Sequence, residues 1–318
     1  MSIIDVFNGD ADGICALHQL RLHSPCESVL VTGVKRDINL LKRVEAVKGD
    51  EVTVLDVSLD KNREGLTRLL ADQVQVRYFD HHFAGEIPGN EYLDTHINTS
   101  ADVCTGLLVN GYLAGAFLPW AVVAAYGDNL FDSARRSAVP LGLSDKDLQL
   151  LKELGTYINY NGYGASLDDL YFEPDQLYLL IKPFSDPFEF INQSETFAVL
   201  QEGYASDMAH AGKVKAEIEQ DEFAVYLLPD EKWSRRVSGV FANDLAQKTP
   251  SRAHAILSAQ SDGNFVVSVR APLANKQGAD DVCRQFESGG GRKAAAGINC
   301  LPQEDFDRFV AVMGEVFL

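Results

Sequence analysis

Three short hydrophobic runs, at residues 3–7, 52–55 and 74–79, have the apolar or alternating character of buried β-strands. Segments with helical periodicity follow the first two runs, over residues 8–23 and 62–71. Strands that alternate with helices in this way form parallel sheets that are covered by helices. The pattern therefore predicts an α/β fold whose first domain is a parallel, doubly wound sheet.

The hydrophobic pattern of the second half of the chain differs from the alternation of strands and helices in the first half. Residues 133–220 are mostly helical in pattern, and residues 193–220 are predicted to form one long helix. A smaller α/β domain follows, with strands at residues 223–228, 254–258 and 264–270 and a helix at residues 238–247. We therefore expect a metal-binding catalytic domain over residues 1–190, a helical linker over residues 191–222 and a substrate-binding domain over residues 223–318.

Each of the three hydrophobic runs leads into acidic residues, and the last also leads into two histidines. These residues are Asp10 and Asp12, then Asp56, then Asp80, His81 and His82. The carboxyl ends of parallel strands meet at one edge of a sheet, where the carboxylates would repel one another. One or two divalent cations would offset that repulsion. A single Asp is often only a helix cap or turn residue, but three strand ends with paired imidazoles favour a metal site.

The order of these motifs resembles the DHH phosphoesterase superfamily, which includes RecJ-type exonucleases and nanoRNases. The motifs are Asp10-x-Asp12-Gly13, Asp56, Asp80-His81-His82 and Gly127-Asp128. Near the other end, the stretch from Gly289 to Gly297 resembles the glycine-rich signature of the DHH-associated C-terminal substrate-binding domain. Together these motifs span most of the chain.

The resemblance implies two Mn²⁺ ions per chain, with Mg²⁺ or Co²⁺ as alternatives. The implied metal ligands are Asp10, Asp12, Asp56, His81 and Asp128, with Asp56 bridging the ions and a bridging water attacking phosphorus. Asp80, His82 and Arg292 are the implied catalytic residues. Many nanoRNases have a histidine two residues before the first Asp, whereas this chain has Asn8.

The resemblance also implies a substrate site formed by Arg270, Arg292 and the three glycines Gly289, Gly290 and Gly291. Successive glycines let backbone N–H groups approach an anion closely, and we expect a helix to begin at residues 294–296. Arg292 stands where the family usually has histidine. Because arginine pairs bidentately with phosphate or with a guanine edge, we expect Arg292 to contact substrate.

Charge and composition narrow the substrate class. The net charge is −18, yet residues 223–318 contain 11 basic and 11 acidic residues, so the acidic excess lies in residues 1–222. No basic stripe of the kind that tracks long nucleic acid is present, which favours a short substrate. The Lys35-Arg36 pair is expected on a solvated face, and residues 37–47 are predicted to form an amphipathic helix.

The five cysteines are scattered without CxxC spacing, and no apolar stretch approaches the roughly 20 residues of a membrane helix. We therefore expect a soluble, cytoplasmic protein without a membrane partner, and a homodimer is compatible with the sequence.

The expected function is a Mn²⁺-dependent phosphodiesterase that hydrolyses short oligonucleotides, especially 5′-phosphorylated linear dinucleotides such as pGpG, to nucleoside monophosphates. No long duplex is expected as a partner. Three alternatives stay open: a 3′-phosphoadenosine 5′-phosphate phosphatase, a cyclic dinucleotide phosphodiesterase and a non-catalytic nucleotide sensor.

Overall fold

The computed structural model describes residues 1–318, which divide into two compact units, Met1–Glu202 and Gly203–Leu318. The first unit contains a five-stranded sheet in the order β2-β1-β3-β4-β5, with every neighbouring pair parallel. Its strands are β1 (Ile3–Phe7), β2 (Val29–Val31), β3 (Glu51–Leu55), β4 (Gln75–Asp80) and β5 (Leu93–Ile97). The predicted parallel, doubly wound sheet is confirmed.

Nine helices accompany this sheet. They are α1 (Ala11–His23), α2 (Arg63–Ala71), α3 (Thr105–Tyr112), α4 (Leu118–Gly127), α5 (Phe131–Ala138), α6 (Asp145–Asn161), α7 (Pro174–Ile181), α8 (Pro187–Gln193) and α9 (Glu195–Ala211). Helices α4 and α6 approach closely because both carry glycine at their contact. A Cβ atom on Gly155 would lie 2.4 Å from the backbone oxygen of Val123, so no larger residue fits without movement.

The second unit is built on a six-stranded mixed sheet in the order β10-β11-β9-β8-β7-β6, in which only β7 and β8 run parallel. The strands are β6 (Ala216–Glu219), β7 (Phe223–Leu228), β8 (Ala253–Ala259), β9 (Phe265–Arg270), β10 (Gly289–Arg292) and β11 (Ala295–Leu301), and the helices are α10 (Lys232–Lys248), α11 (Ala279–Cys283) and α12 (Phe306–Phe317). Phe223, Val267 and Phe309 are fully buried in its core. The boundary between the units falls within α9, and no helix of the protein combines the length and the apolar character needed to cross a membrane.

Three predicted helices, at residues 37–47, 193–220 and 294–296, differ from the structure. Residues 37–47 contain only a single 3₁₀ turn, Leu41–Arg43, because the side chain of Asn62 bonds the backbone of Ile38 and Leu41 and replaces helical hydrogen bonds. The helix predicted over residues 193–220 ends at Ala211, ahead of Gly212. The residues beyond it form β6, which pairs with β7, so sheet pairing overrides the helical pattern there.

Candidate metal centre and substrate-binding hairpin

The candidate metal centre lies where β1, β3 and β4, three neighbouring parallel strands, end at the same edge of the sheet. The sheet order reverses at β1, because the chain adds β2 on one side of β1 and β3 on the other. Open α/β sheets bind ligands at such a reversal. Asp10 and Asp12 follow β1, Asp56 follows β3, and Asp80 closes β4. All four carboxylates are buried.

Asp10 and Asp12 each hold a helix N-terminus in place. One oxygen of Asp10 accepts the N–H groups of Asp12 at 3.0 Å and Gly13 at 3.1 Å, which caps α1. The carboxylate of Asp12 accepts the N–H groups of Thr105 and Gly106, both at 2.7 Å, at the start of α3. The helix-cap interpretation is therefore correct for Asp10, whereas Asp12 lies inside α1 and accepts N–H groups of a different helix, α3. These hydrogen bonds do not exclude metal binding by Asp12, because each carboxylate oxygen has two lone pairs.

His81 points its Nε2 atom at three carboxylates. The distances are 3.4 Å to Asp56 Oδ1, 3.8 Å to Asp128 Oδ2 and 3.9 Å to Asp12 Oδ2. Asp56, His81 and His82 also offer donor atoms that all lie within 4.8 Å of one another. The structure thus brings three predicted carboxylate ligands, Asp12, Asp56 and Asp128, around the Nε2 atom of the fourth, His81, and the fifth, Asp10, lies beside Asp56.

The acids of this cluster disfavour one another's ionised forms. Burial raises the pKa of Asp56 well above its usual value, and the neighbouring carboxylates of Asp12, Asp10 and Asp128 raise it further. Burial likewise raises the pKa of Asp128 to about 6. Asp56 also has a positive φ of 60°, a conformation that is rare for a residue other than glycine. Such strain is common at functional sites, and it aims this carboxylate at the cluster.

Asp80 acts through His82. Its Oδ1 atom accepts a hydrogen bond from His82 Nδ1 at 2.7 Å, whereas its Oδ2 atom is buried without a partner. Burial lowers the pKa of His82, but the adjacent Asp80 more than compensates and the net shift is upward. Asp80 therefore orients the His82 ring and favours its protonated form.

Lys35 was expected on a solvated face, and that expectation is wrong. Its ammonium group lies 2.5 Å from Asp10 Oδ2 and 2.9 Å from Asn159 Oδ1. Burial lowers the pKa of Lys35, but Asp10 more than compensates and holds that pKa well above its usual range. Burial alone would raise the pKa of Asp10, but the same ion pair holds it below its usual value. The amide of Asn8, next to this pair, is buried and its Oδ1 atom has no hydrogen-bond partner.

In the second unit, the glycine-rich signature forms a β-hairpin. β10 and β11 pair antiparallel with Gly290 opposite Gly297 and Arg292 opposite Ala295, so the helix expected at residues 294–296 does not exist. The alternating burial of Ala296 and Ile298, which face the core, favours a strand over the helical propensity of alanine. Gly291 has a φ of 140°, which requires glycine.

The hairpin aligns the two predicted substrate arginines. Ala295 pairs with Arg292 on one side and with Arg270 on the other, so the three side chains lie in one row on one face of the sheet. Val267 and Val269 of β9 are buried on the opposite face. Arg270 is held by hydrogen bonds to Asn243 at 2.6 Å and other acceptors, whereas Arg292 is exposed.

Comparison with known families finds a match in this unit. The DHHA1 domain family matches residues 220–317. The matched residues lie within the C-terminal unit. Among curated proteins, none matches the chain significantly in sequence.

Solved structures with the same fold contain both units. Exonuclease RecJ bound to manganese superposes with a TM-score of 0.65 at 17% identity, over 98% of this chain and 89% of that one. RecJ from Thermus thermophilus in complex with Mn²⁺ gives 0.66 at 18% identity, over 99% of this chain and 51% of that one. PggH from Vibrio cholerae, a pGpG-specific phosphodiesterase, gives 0.59 at 13% identity, over 99% of both chains. With the DHHA1 domain, these matches confirm the resemblance to the DHH phosphoesterase superfamily.

The residues of the first unit fit a divalent cation. Carboxylate and imidazole donors converge within coordination range, and burial together with mutual repulsion raises the pKa of Asp56 and Asp128. A mixed oxygen and nitrogen donor set of this kind suits Mn²⁺. Lys35, Asn159 and Thr105 belong to the same centre, and sequence reasoning missed all three. The hydroxyl of Thr105 lies 3.1 Å from Asp56 Oδ1.

Proposed function

We propose that the protein is a Mn²⁺-dependent phosphodiesterase that hydrolyses short oligonucleotides, most readily 5′-phosphorylated linear dinucleotides such as pGpG, to nucleoside monophosphates. The observation that carries this proposal is the convergence of Asp12, Asp56, His81 and Asp128 at one sheet edge, in a chain whose second unit matches the DHHA1 domain family. The first unit contains the candidate cation site, and the second unit contains a row of arginines that suits an anionic ligand.

Asp12, Asp56, His81 and Asp128 would hold the metal. A bound Mn²⁺ ion would supply Lewis acidity, lowering the pKa of a coordinated water and withdrawing charge from phosphoryl oxygens.

His82 would donate a hydrogen bond or a proton from its Nε2 atom to a phosphoryl oxygen or to the leaving group. Its Nδ1 atom is already engaged by Asp80, and the upward shift of its pKa keeps more of the ring protonated near neutral pH. His82 is also half-exposed, so its free edge is accessible. Asp80 is fully buried and would act as a positioning residue.

Arg292 and Arg270 would bind the phosphate or base of the substrate from the second unit. Two strand spacings separate their positions, about 10 Å between backbones, and the small side chain of Ala295 lies between them. A row of this width suits one or two phosphate groups rather than a long backbone. The absence of a basic stripe in the sequence points the same way.

The pGpG preference rests on fold and charge together. PggH, a pGpG-specific phosphodiesterase, has the same fold over 99% of both chains at 13% identity, which makes pGpG the first substrate to test. The excess of acidic residues before residue 223 disfavours long polyanions at the metal-binding unit. A dinucleotide carries few charges and fits both observations.

The test is product formation from a substrate panel, with Mn²⁺ and with chelator. The panel contains 5′-phosphorylated dinucleotides, longer RNA and DNA oligomers, cyclic dinucleotides and 3′-phosphoadenosine 5′-phosphate. We expect Mn²⁺-dependent cleavage of the dinucleotides to exceed that of all other substrates. Asp56→Asn should abolish turnover, whereas Asp72→Asn, which alters an exposed carboxylate at the end of α2, should not change it.

Other outcomes would redirect the proposal. Preferred cleavage of 3′-phosphoadenosine 5′-phosphate or of cyclic dinucleotides would assign one of the two alternative hydrolase activities. If metal-loaded protein binds dinucleotides but cleaves nothing on the panel, the hydrolase proposal is wrong and a nucleotide sensor remains.

A further inference from the structure

The side of the candidate metal centre nearest β1 already contains a cation. The Lys35 ammonium group contacts both Asp10 Oδ2 at 2.5 Å and Asn159 Oδ1 at 2.9 Å. Its side chain is only 22% exposed. The backbone N–H of Lys35 donates to the carbonyl oxygen of Gly162 at 2.8 Å, and its ammonium lies 5.4 Å from the ring centre of Tyr163. Lys35 is thus anchored at both ends, which holds its charge in one place.

Both oxygens of Asp10 already accept hydrogen bonds. Its Oδ1 atom accepts two N–H groups at the start of α1, and its Oδ2 atom accepts the short, charge-assisted bond from Lys35. A divalent ion at Oδ2 would have to displace an ammonium group that is partly shielded from water. Two cations of total charge +3 in that space would repel each other strongly at low effective dielectric.

On the side of the centre that contains His81, carboxylates outnumber the lysine and arginine side chains that contact them. Three carboxylates, of which Asp12 and Asp56 are buried, lie close together there. His81 Nε2 is within 3.9 Å of three carboxylates there, and no lysine or arginine forms an ion pair with Asp12, Asp56 or Asp128. The carboxylates around His81 therefore offer a divalent cation donor atoms that no lysine or arginine contacts.

We infer that the Lys35 ammonium group takes the place of a second metal ion, so that the centre binds one divalent cation per chain, on the Asp56 and His81 side. The inference concerns this chain's own residues and departs from the pair of ions that the family resemblance implies. It rests on the proposed metal centre but not on the identity of the substrate.

The test is Mn²⁺ stoichiometry measured without substrate, by isothermal titration calorimetry and by metal analysis after equilibrium dialysis. Wild-type protein should bind one Mn²⁺ ion per chain. Lys35→Met keeps the aliphatic stem, removes the charge and frees Asp10, and should raise the stoichiometry to two. Lys35→Arg keeps the charge and should stay at one. Lys42→Met, which changes an exposed lysine, should also stay at one.

Electron paramagnetic resonance provides a measurement that needs no variant. One Mn²⁺ ion gives an isolated six-line spectrum, whereas two neighbouring ions give an exchange-coupled spectrum. An isolated spectrum in wild-type protein at two equivalents of Mn²⁺, with the second equivalent free, supports the inference. A coupled pair in wild-type protein overturns it even if Lys35→Met fails to fold.

The remaining outcomes separate this inference from the proposed function. Two ions bound by wild-type protein, or one ion bound by folded Lys35→Met, would overturn the role of Lys35 and leave the phosphodiesterase proposal intact. No bound Mn²⁺ in wild-type protein would overturn both. A change from one ion to two in Lys35→Met would support the inference whatever the substrate panel shows.

Discussion

Asp80→Asn tests whether the buried carboxylate controls the histidine beside it. The substitution keeps the shape of the side chain but removes the charge that His82 Nδ1 contacts at 2.7 Å. The pKa of His82 should then fall, because Asp80 is what outweighs the effect of burial. Loss of a carboxylate behind a functional imidazole typically lowers metal affinity or activity about 10–100-fold, or about 1.4–2.8 kcal/mol. We expect kcat/KM for pGpG to fall within that range.

The pH dependence of kcat/KM shows whether Asp80 positions His82 or only supports the fold. If protonated His82 is the donor, the alkaline limb of kcat/KM should move to lower pH in Asp80→Asn. The Tm of the metal-free protein should not fall, because Asp80 Oδ2 has no partner and its charge disfavours ionised Asp56. Asp94→Asn is a matched control, since Asp94 lies 3.2 Å from His96 on β5 and is 54% exposed. Unchanged kcat/KM with an unchanged profile in Asp80→Asn would refute the reasoning.

Further predictions concern stability. Burial lowers the pKa of His18 to about 4, below its unfolded value of 6.5, so stability that is complete above pH 6.5 should be lost as pH falls toward 4. In urea unfolding, the contribution of His18 to the free energy of unfolding should be about 2 kcal/mol smaller at pH 5 than at pH 7. The His18→Gln variant should lose this part of the pH dependence. Gly155→Ala should lower Tm by an amount equivalent to about 1–3 kcal/mol, since its Cβ would meet backbone at 2.4 Å. Gly289→Ala should lower Tm further, because the added Cβ would lie 1.7 Å from the backbone oxygen of Cys283 in the hairpin. Gly290→Ala should have the Tm of the wild type, because the space around its Cβ is open. Equal Tm values in all three glycine variants would contradict the packing argument.

The parallel sheet and its acidic edge were predictable because their signals are local. A hydrophobic run followed by a polar break marks the end of a strand, and parallel strands end at a common edge. Asp56 and Asp80 could therefore be assigned to one site without knowledge of the contacts between them. The structure confirms the strands and brings Asp12, Asp56 and Asp128 around the Nε2 atom of His81.

Features that depend on long-range contacts were missed. Lys35 is 25 residues from Asp10 and 124 residues from Asn159, and no local pattern links them. A Lys-Arg pair in a polar stretch is usually solvated, so its burial against Asp10 could not be inferred. The stretch at residues 294–296 was misassigned for the converse reason, since local alanine propensity favours a helix but pairing with β9 and β10 imposes a strand.

The distribution of cations explains why two acids that look alike in sequence differ in role. Asp10 and Asp56 both follow strands at the same sheet edge, and burial raises the pKa of each. Lys35 reverses that effect at Asp10, whereas neighbouring carboxylates add to it at Asp56. An ionised carboxylate buried among others is stable only beside a positive charge. Lys35 supplies such a charge to Asp10 through a direct ion pair, whereas no lysine or arginine forms an ion pair with the acids around His81. The crowding of these acids by the fold is therefore the physical basis of the proposed divalent cation site on that side.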